Sequence, residues 1–205
     1  MVRPRTYSDD ALLQAAHHTI LDLGDRATLS DIGKRAGVTP AALTKRFGNK
    51  HGLLVKLSRR WVTGIDAELA AAEASVADPV EKILSVATSG AGELDRPEQV
   101  GTQLSGLADD LRDPELRELL AEGWGKLRQR LEQLFATAAD QGHLLGAPPP
   151  RQAARILLSL VQGGSLYWSL NPQGSLVTEI RSDVRALLVN WTDHQETHTT
   201  RTTHD

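Results

Sequence analysis

Apolar residues recur along this chain at spacings of three and four, with almost none of the alternation that marks a half-buried strand. Read with its caps and breakers, the pattern predicts an all-α chain of about nine helices. Ser8 caps the first, Asp9 and Asp10 sit in its first turn, and Leu12, Leu13, Ala16, Ile20 and Leu23 form its apolar face up to Gly24. Thr28 caps a short second helix, with Asp31 three residues on in capping-box spacing and Gly37 as its stop. Thr39 caps a very short third helix with Pro40 at its first position, and Gly48 closes it. Asn49 caps a fourth helix running to about residue 76, with Leu53, Leu54, Leu57, Trp61 and Leu69 as its stripe.

Proline then punctuates the chain. Asp78-Pro79, Arg96-Pro97 and Asp113-Pro114 open helices five, six and seven, and Gly142 ends the seventh. Pro148-Pro149-Pro150 is the strongest breaker. It precedes an eighth helix, closed by Asn171-Pro172, and a ninth ending at Trp191. Domains are expected at 1–48, a helix-turn-helix module, and at 49–193, a larger helical body. A Thr/His-rich tail, 194–205, is expected to be disordered.

The segment from Thr28 to Phe47 carries the most information. Ile32, Ala36, Val38, Leu43 and Phe47 point inward, Ala36 is small where the helices meet, and Gly37 suits a left-handed turn. The second helix of the pair is then a rod of a size that enters a major groove about 12 Å wide. Its outward residues, Thr39, Ala41, Ala42, Thr44 and Lys45, are small, hydroxylated or basic. Methyl groups meet thymine methyls, and hydroxyls and lysine serve bases or phosphate. An inert αα-corner has the same outline.

Charge sharpens the picture. The net charge of −3 is uninformative, but residues 1–60 hold 11 Lys/Arg against 5 Asp/Glu, whereas residues 61–205 hold 12 against 21. No acid lies between Gly37 and Ile65. Lys50 sits in the first turn of its helix, where the macrodipole disfavours a cation unless an anion binds there. Arg3 and Arg5 form a candidate arm for backbone or minor groove.

These residues carry a resemblance. The stretch from Thr28 to Leu54, with the preceding helix, resembles the DNA-binding segment of the tetracycline-repressor (TetR) family, over about residues 8–57. The resemblance implies a two-fold dimer on a near-palindromic double-stranded operator, and a small-molecule effector that releases DNA. It implies Thr28 at a phosphate, Thr39, Pro40, Ala41 and Ala42 at the start of the recognition helix, and Lys50 at the backbone. It also exposes a departure. Thr44 stands where the family usually has a phosphate-contacting tyrosine, and Arg46 where histidine is frequent; Arg46 is a candidate for the compensating contact.

The helical body offers candidates of its own. Gly163-Gly164-Ser165 lies mid-helix, where glycine costs about 1 kcal/mol, so close helix approach is expected there. The resemblance points to a four-helix interface from helices eight and nine of two chains, with Leu157, Val161, Gly164, Trp168, Ile180, Val184, Leu187 and Trp191 as candidates. Leu104, Leu107, Trp124, Leu127 and Leu131 are candidate pocket walls, equally readable as core, and suggest an apolar or aromatic effector. Helix four is the expected lever between pocket and DNA.

No cysteine is present, which excludes disulfides, thiolate metal sites and cysteine nucleophiles. No Gly-rich phosphate loop occurs, and no cofactor, metal site or membrane partner is expected. His194 and His198 have i, i+4 spacing, but in the tail. A non-enzymatic regulator in the cytoplasm, associated with the nucleoid, fits best. A regulator without an effector, or a ligand-binding protein that has lost DNA binding, stays open beside it.

Overall fold

A computed structural model describes residues 7–94 and 96–192 of the chain. Arg3, Arg5 and the tail 194–205 lie outside the described residues. Among the described residues nine α-helices appear and no strand: α1 Asp9–Leu23, α2 Leu29–Ala36, α3 Pro40–Phe47, α4 Lys50–Ala74, α5 Pro79–Ala87, α6 Pro97–Asp110, α7 Pro114–Asp140, α8 Pro150–Leu170 and α9 Leu176–Thr192. Short 3-10 turns at Gly24–Arg26 and Ser89–Glu93 follow α1 and α5.

The helix starts follow from their caps. The Ser8 hydroxyl accepts from the Ala11 N–H at 3.2 Å, and the Asn49 side chain accepts from the Gly52 N–H at 2.8 Å. The Asp78 carboxylate takes the N–H groups of Val80 and Glu81, and that of Asp113 takes those of Glu115 and Leu116. Each satisfies donors that the helix itself leaves open.

Two cores form. Leu12, Leu13, Ala16, Ile32, Leu43, Phe47 and Leu53 close the N-terminal module. A larger core gathers α4 to α9 around Ile83, Leu84, Leu131, Phe135, Leu157 and Ile180. At 25 residues and about 38 Å, α4 reaches from one to the other. Its stripe differs from the expected one. Val55, Val62 and Ile65 are buried beside Leu53 and Leu69, Leu54 and Leu57 are half-buried, and Trp61 is 36% exposed. The reason is that α4 meets a third surface, where Val55 and Val62 pack on Leu116 and Leu119 of α7.

Polar contacts run along the same seam. Lys126 donates to the Val62 carbonyl at 3.0 Å and pairs with Asp66 at 2.8 Å. Arg59 pairs with Glu115 at 2.9 Å, Arg130 with Glu73, and His51 Nε2 lies 2.9 Å from Asp113.

Most of the interface candidates on α8 and α9 also serve the chain's own core. Leu157, Val161, Trp168, Ile180 and Val184 are buried in the chain's own core, and Leu187 and Trp191 pack on its flank. Gly164 is the point of close approach, but within the chain: a Cβ there would lie 2.6 Å from Ile180 Cδ1 of α9. Periodicity marks an apolar face and cannot say which surface covers it. The large apolar side chains that α8 and α9 expose are Leu166, Tyr167, Leu170 and Val189.

Candidate nucleic-acid interface

The site is built on α2, α3 and the turn between them. The Thr28 hydroxyl accepts from the Asp31 N–H at 3.2 Å, and the Asp31 carboxylate accepts from the Thr28 N–H at 3.1 Å, which completes the capping box. The Thr28 hydroxyl also donates to Asp31 at 2.5 Å, so its proton is committed inside the protein. These bonds hold the Asp31 carboxyl below the usual carboxylate range.

Gly37 takes the left-handed conformation at φ 69°. At the turn between α2 and α3 the close approach is at Gly33, where a Cβ would stand 2.7 Å from the Val38 carbonyl oxygen; Ala36, expected there, is half-buried. A glycine in the middle of an eight-residue helix was the available signal. Gly52, in the first turn of α4, is a still closer approach, 2.2 Å from the Phe47 carbonyl oxygen by the same measure.

Helix α3 stands on Leu43 and Phe47, 0% and 8% exposed. Thr39, Pro40, Ala41, Ala42, Thr44, Lys45 and Arg46 are all exposed around it. The Thr39 hydroxyl accepts from the Ala42 N–H at 3.2 Å, which leaves its proton free to donate outward. The structure thus brings together, on one open face, the small, hydroxylated and basic side chains that the sequence singles out.

Two basic residues are engaged within the protein. Lys50 is half-buried, and its ammonium donates to the Asp25 carbonyl at 2.6 Å, which uses one of its three protons. Arg46 is ion-paired with Asp9 and donates to the Tyr7 carbonyl at 2.7 Å. Tyr7 itself packs on the module's core.

Asp22, near the end of α1, joins the module to the body. It pairs with Arg35 of α2 at 2.5 Å and with Arg96, the residue that precedes α6, at 2.8 Å. Arg35 first, and then Arg96, hold its carboxyl below the usual range. Two residues on, Gly24 (φ 64°) lies against Thr102 of α6. Sequence reading missed this node, because nothing local announces a bond spanning 74 residues.

The candidate pocket walls are dispersed in burial. Leu131 is fully buried, Trp124 and Leu127 pack partly buried against the main core, Leu107 is half-buried and Leu104 is 37% exposed. Among the described residues, the indole N–H of Trp168 is buried without a hydrogen-bond partner. No described helix is long and apolar enough to cross a membrane.

Comparison with known proteins agrees with this geometry. Residues 12–57 match the family described as bacterial regulatory proteins, tetR family, and residues 85–192 match the BetI-type transcriptional repressor C-terminal family. The HTH-type transcriptional regulator BetI 1 of Chromohalobacter salexigens is 32% identical over 177 residues, 83% of each chain. FadR of Bacillus subtilis, solved with stearoyl-CoA, has the same fold at TM-score 0.65 and 21% identity, over 88% of this chain and 98% of that one. A transcriptional regulator of Saccharomonospora viridis, solved with choline, superposes at TM-score 0.73 and 19% identity, over 88% and 95%.

Proposed function

Because the chain belongs to the TetR family of bacterial regulatory proteins, and is thus a transcriptional regulator rather than an enzyme, we propose that it acts as a homodimeric repressor released by a small effector. It binds a near-palindromic operator, with residues 1–48 as the reading module, in the cytoplasm where the chromosome lies. The observation that carries this reading is the α3 face, open to solvent from Thr39 to Arg46 and backed by Leu43 and Phe47. Thr39, Ala41, Ala42 and Thr44 meet base edges, while Lys45 and the remaining protons of Lys50 meet phosphates. The main-chain N–H groups at the start of α2 serve phosphate in place of the occupied Thr28 hydroxyl.

The dimer forms through the outward faces of α8 and α9. Tyr167 and Leu170 are 78% and 75% exposed, and Leu166 and Val189 are exposed on the same pair of helices. The outward surface of α9 around Arg181, Arg185 and Val189 forms a shallow, open depression lined by that helix alone. A two-fold axis here sets two recognition helices about 34 Å apart, one turn of duplex.

The effector has a mainly apolar or aromatic body and enters the core between α6, α7 and α8, near Trp124, Leu127 and Trp168. A buried donor without an acceptor is costly, so the Trp168 N–H favours a ligand that offers one.

Selection of bound duplexes from a random library, followed by footprinting, tests the reading. A protected inverted repeat with half-sites about one turn apart is expected. Choline and an acyl-CoA, added separately as probes, are expected to differ in quenching tryptophan fluorescence, and the quenching ligand to release the duplex. Failure to enrich any duplex would overturn the operator reading; release by neither probe would overturn both of these effector classes.

A further inference from the structure

Arg46 occupies a conspicuous place. It sits in the last turn of the recognition helix beside Lys45, where a cation is expected to meet phosphate. Yet its guanidinium faces the protein on two edges: Nε is paired with the Asp9 carboxylate, and Nη1 donates to the Tyr7 carbonyl at 2.7 Å. Asp9 opens α1 and Tyr7 lies two residues before it, 37 and 39 residues away in the chain.

The same short segment touches the other end of the motif. The Tyr7 hydroxyl lies 3.1 Å from where a Cβ on Gly37 would stand, so the ring covers the turn between α2 and α3. Asp10, next to Asp9, is paired with Arg60 of α4 at 3.4 Å. The two acids that open α1 thus each hold an arginine of a different helix, α3 and α4.

We propose that Arg46 is a positioning residue for DNA reading: through Asp9 and the Tyr7 carbonyl it ties the end of the recognition helix to the start of α1, and it does not serve as a phosphate contact. The proposal rests on the DNA-binding reading above. The pair is 40% and 60% exposed, so it adds little to stability. Its effect is geometric. The eight-residue α3 is held to the core by Leu43 and Phe47 alone among its buried residues, and a tie at its rim limits tilt about that line. A reading helix has to be held within about 0.5 Å and 10–20° to keep its contacts.

Two roles for Arg46 predict opposite signs. If the pair merely parks an arginine destined for phosphate, removing Asp9 frees a cation and removes an anion near the duplex. Asp9→Asn then tightens binding and steepens the salt dependence by about one counterion. If Arg46 positions, Asp9→Asn weakens binding and leaves the salt slope unchanged.

The experiment measures anisotropy of a duplex selected on the wild-type protein, across about 50–200 mM salt. Asp9→Asn, Arg46→Ala and Arg46→Lys are each expected to weaken binding about three- to tenfold with an unchanged slope. The double variant Asp9→Asn/Arg46→Ala is expected to be no worse than the poorer single, and Asp9→Glu to retain most of the affinity. Circular dichroism and melting temperature check that each variant folds. Tighter binding by Asp9→Asn, a slope lowered by about one in Arg46→Ala, or unchanged affinity in both would overturn the proposal. If the wild-type protein selects no duplex, the DNA-binding reading fails first, and this proposal with it.

Discussion

The indole of Trp61 lies directly on the backbone of Gly123: a Cβ built on that glycine would stand 2.1 Å from Cζ3 and 2.3 Å from Cη2 of the ring. Trp61 belongs to α4 and Gly123 to α7, so this contact sits on the seam where these two long helices pack together. The ring fills the space that a Cβ at position 123 would need. Gly123→Ala is expected to force the ring out and to cost about 1–3 kcal/mol in chemical denaturation. In a Trp61→Ala background the same change is expected to be neutral or stabilising, because alanine favours a helix over glycine by about 1 kcal/mol. Equal costs in both backgrounds would show that the ring is not the cause.

Lys45 lies on the open face of α3. Lys45→Ala is expected to lower duplex affinity and to reduce the salt slope by about one, with no change in melting temperature. A salt titration of binding reads both quantities. The contrast with Arg46, whose replacement is expected to leave the slope alone, separates a phosphate contact from a tie.

Tyr167 and Leu170 stand outward at the end of α8. Tyr167→Lys combined with Leu170→Glu is expected to yield a folded monomer by analytical ultracentrifugation, with duplex affinity reduced at least a hundredfold through loss of the second half-site. By contrast, Leu157→Ala or Ile180→Ala is expected to lower stability by about 2–5 kcal/mol and to leave the dimer in place, since both side chains are buried in the chain's own core. A dimer that survives the first pair of changes would place the interface elsewhere.

Carboxylates give the pH response two signs. Asp110 ends α6; burial first, and then Asp109 and Asp113, raise its pKa above the ordinary value. Its charged form is therefore disfavoured in the folded state, so its penalty is absent at low pH and grows as pH rises above about 4. Asp110→Asn is expected to raise the melting temperature at pH 7 and to leave it unchanged near pH 3. Asp22, held low by Arg35 and Arg96, and Asp113, held low by the Leu116 N–H and then by His51, act in the opposite sense. Their stabilisation is present above the unfolded carboxylate value and is lost as pH falls below it. Melting curves of the wild type and of Asp22→Asn between pH 3 and 7 are expected to converge at the acid end.

What the chain determined by itself is local. Ser8, Thr28, Thr39 and Asn49 cap the helices they precede, Gly37 turns, and the prolines at 79, 97, 114 and 150 start helices. Each of these effects acts within four residues, through the donors that a helix end leaves open and the backbone angles a residue can adopt. The open face of α3 was legible for the same reason, since apolar spacing on a short helix fixes which side turns inward.

Tertiary structure decided which surfaces meet. The apolar stripes of α8 and α9 could cover their own core or a second chain; packing buried Leu157, Ile180 and Val184 in the former and left Tyr167 and Leu170 outside. It also chose partners for the charges. Arg46 turned to Asp9, Lys50 to the Asp25 carbonyl, and Arg96 crossed to Asp22. A long flexible side chain finds its partner among groups brought near by packing, and separations of 25 to 74 residues leave no periodic trace in the order of amino acids.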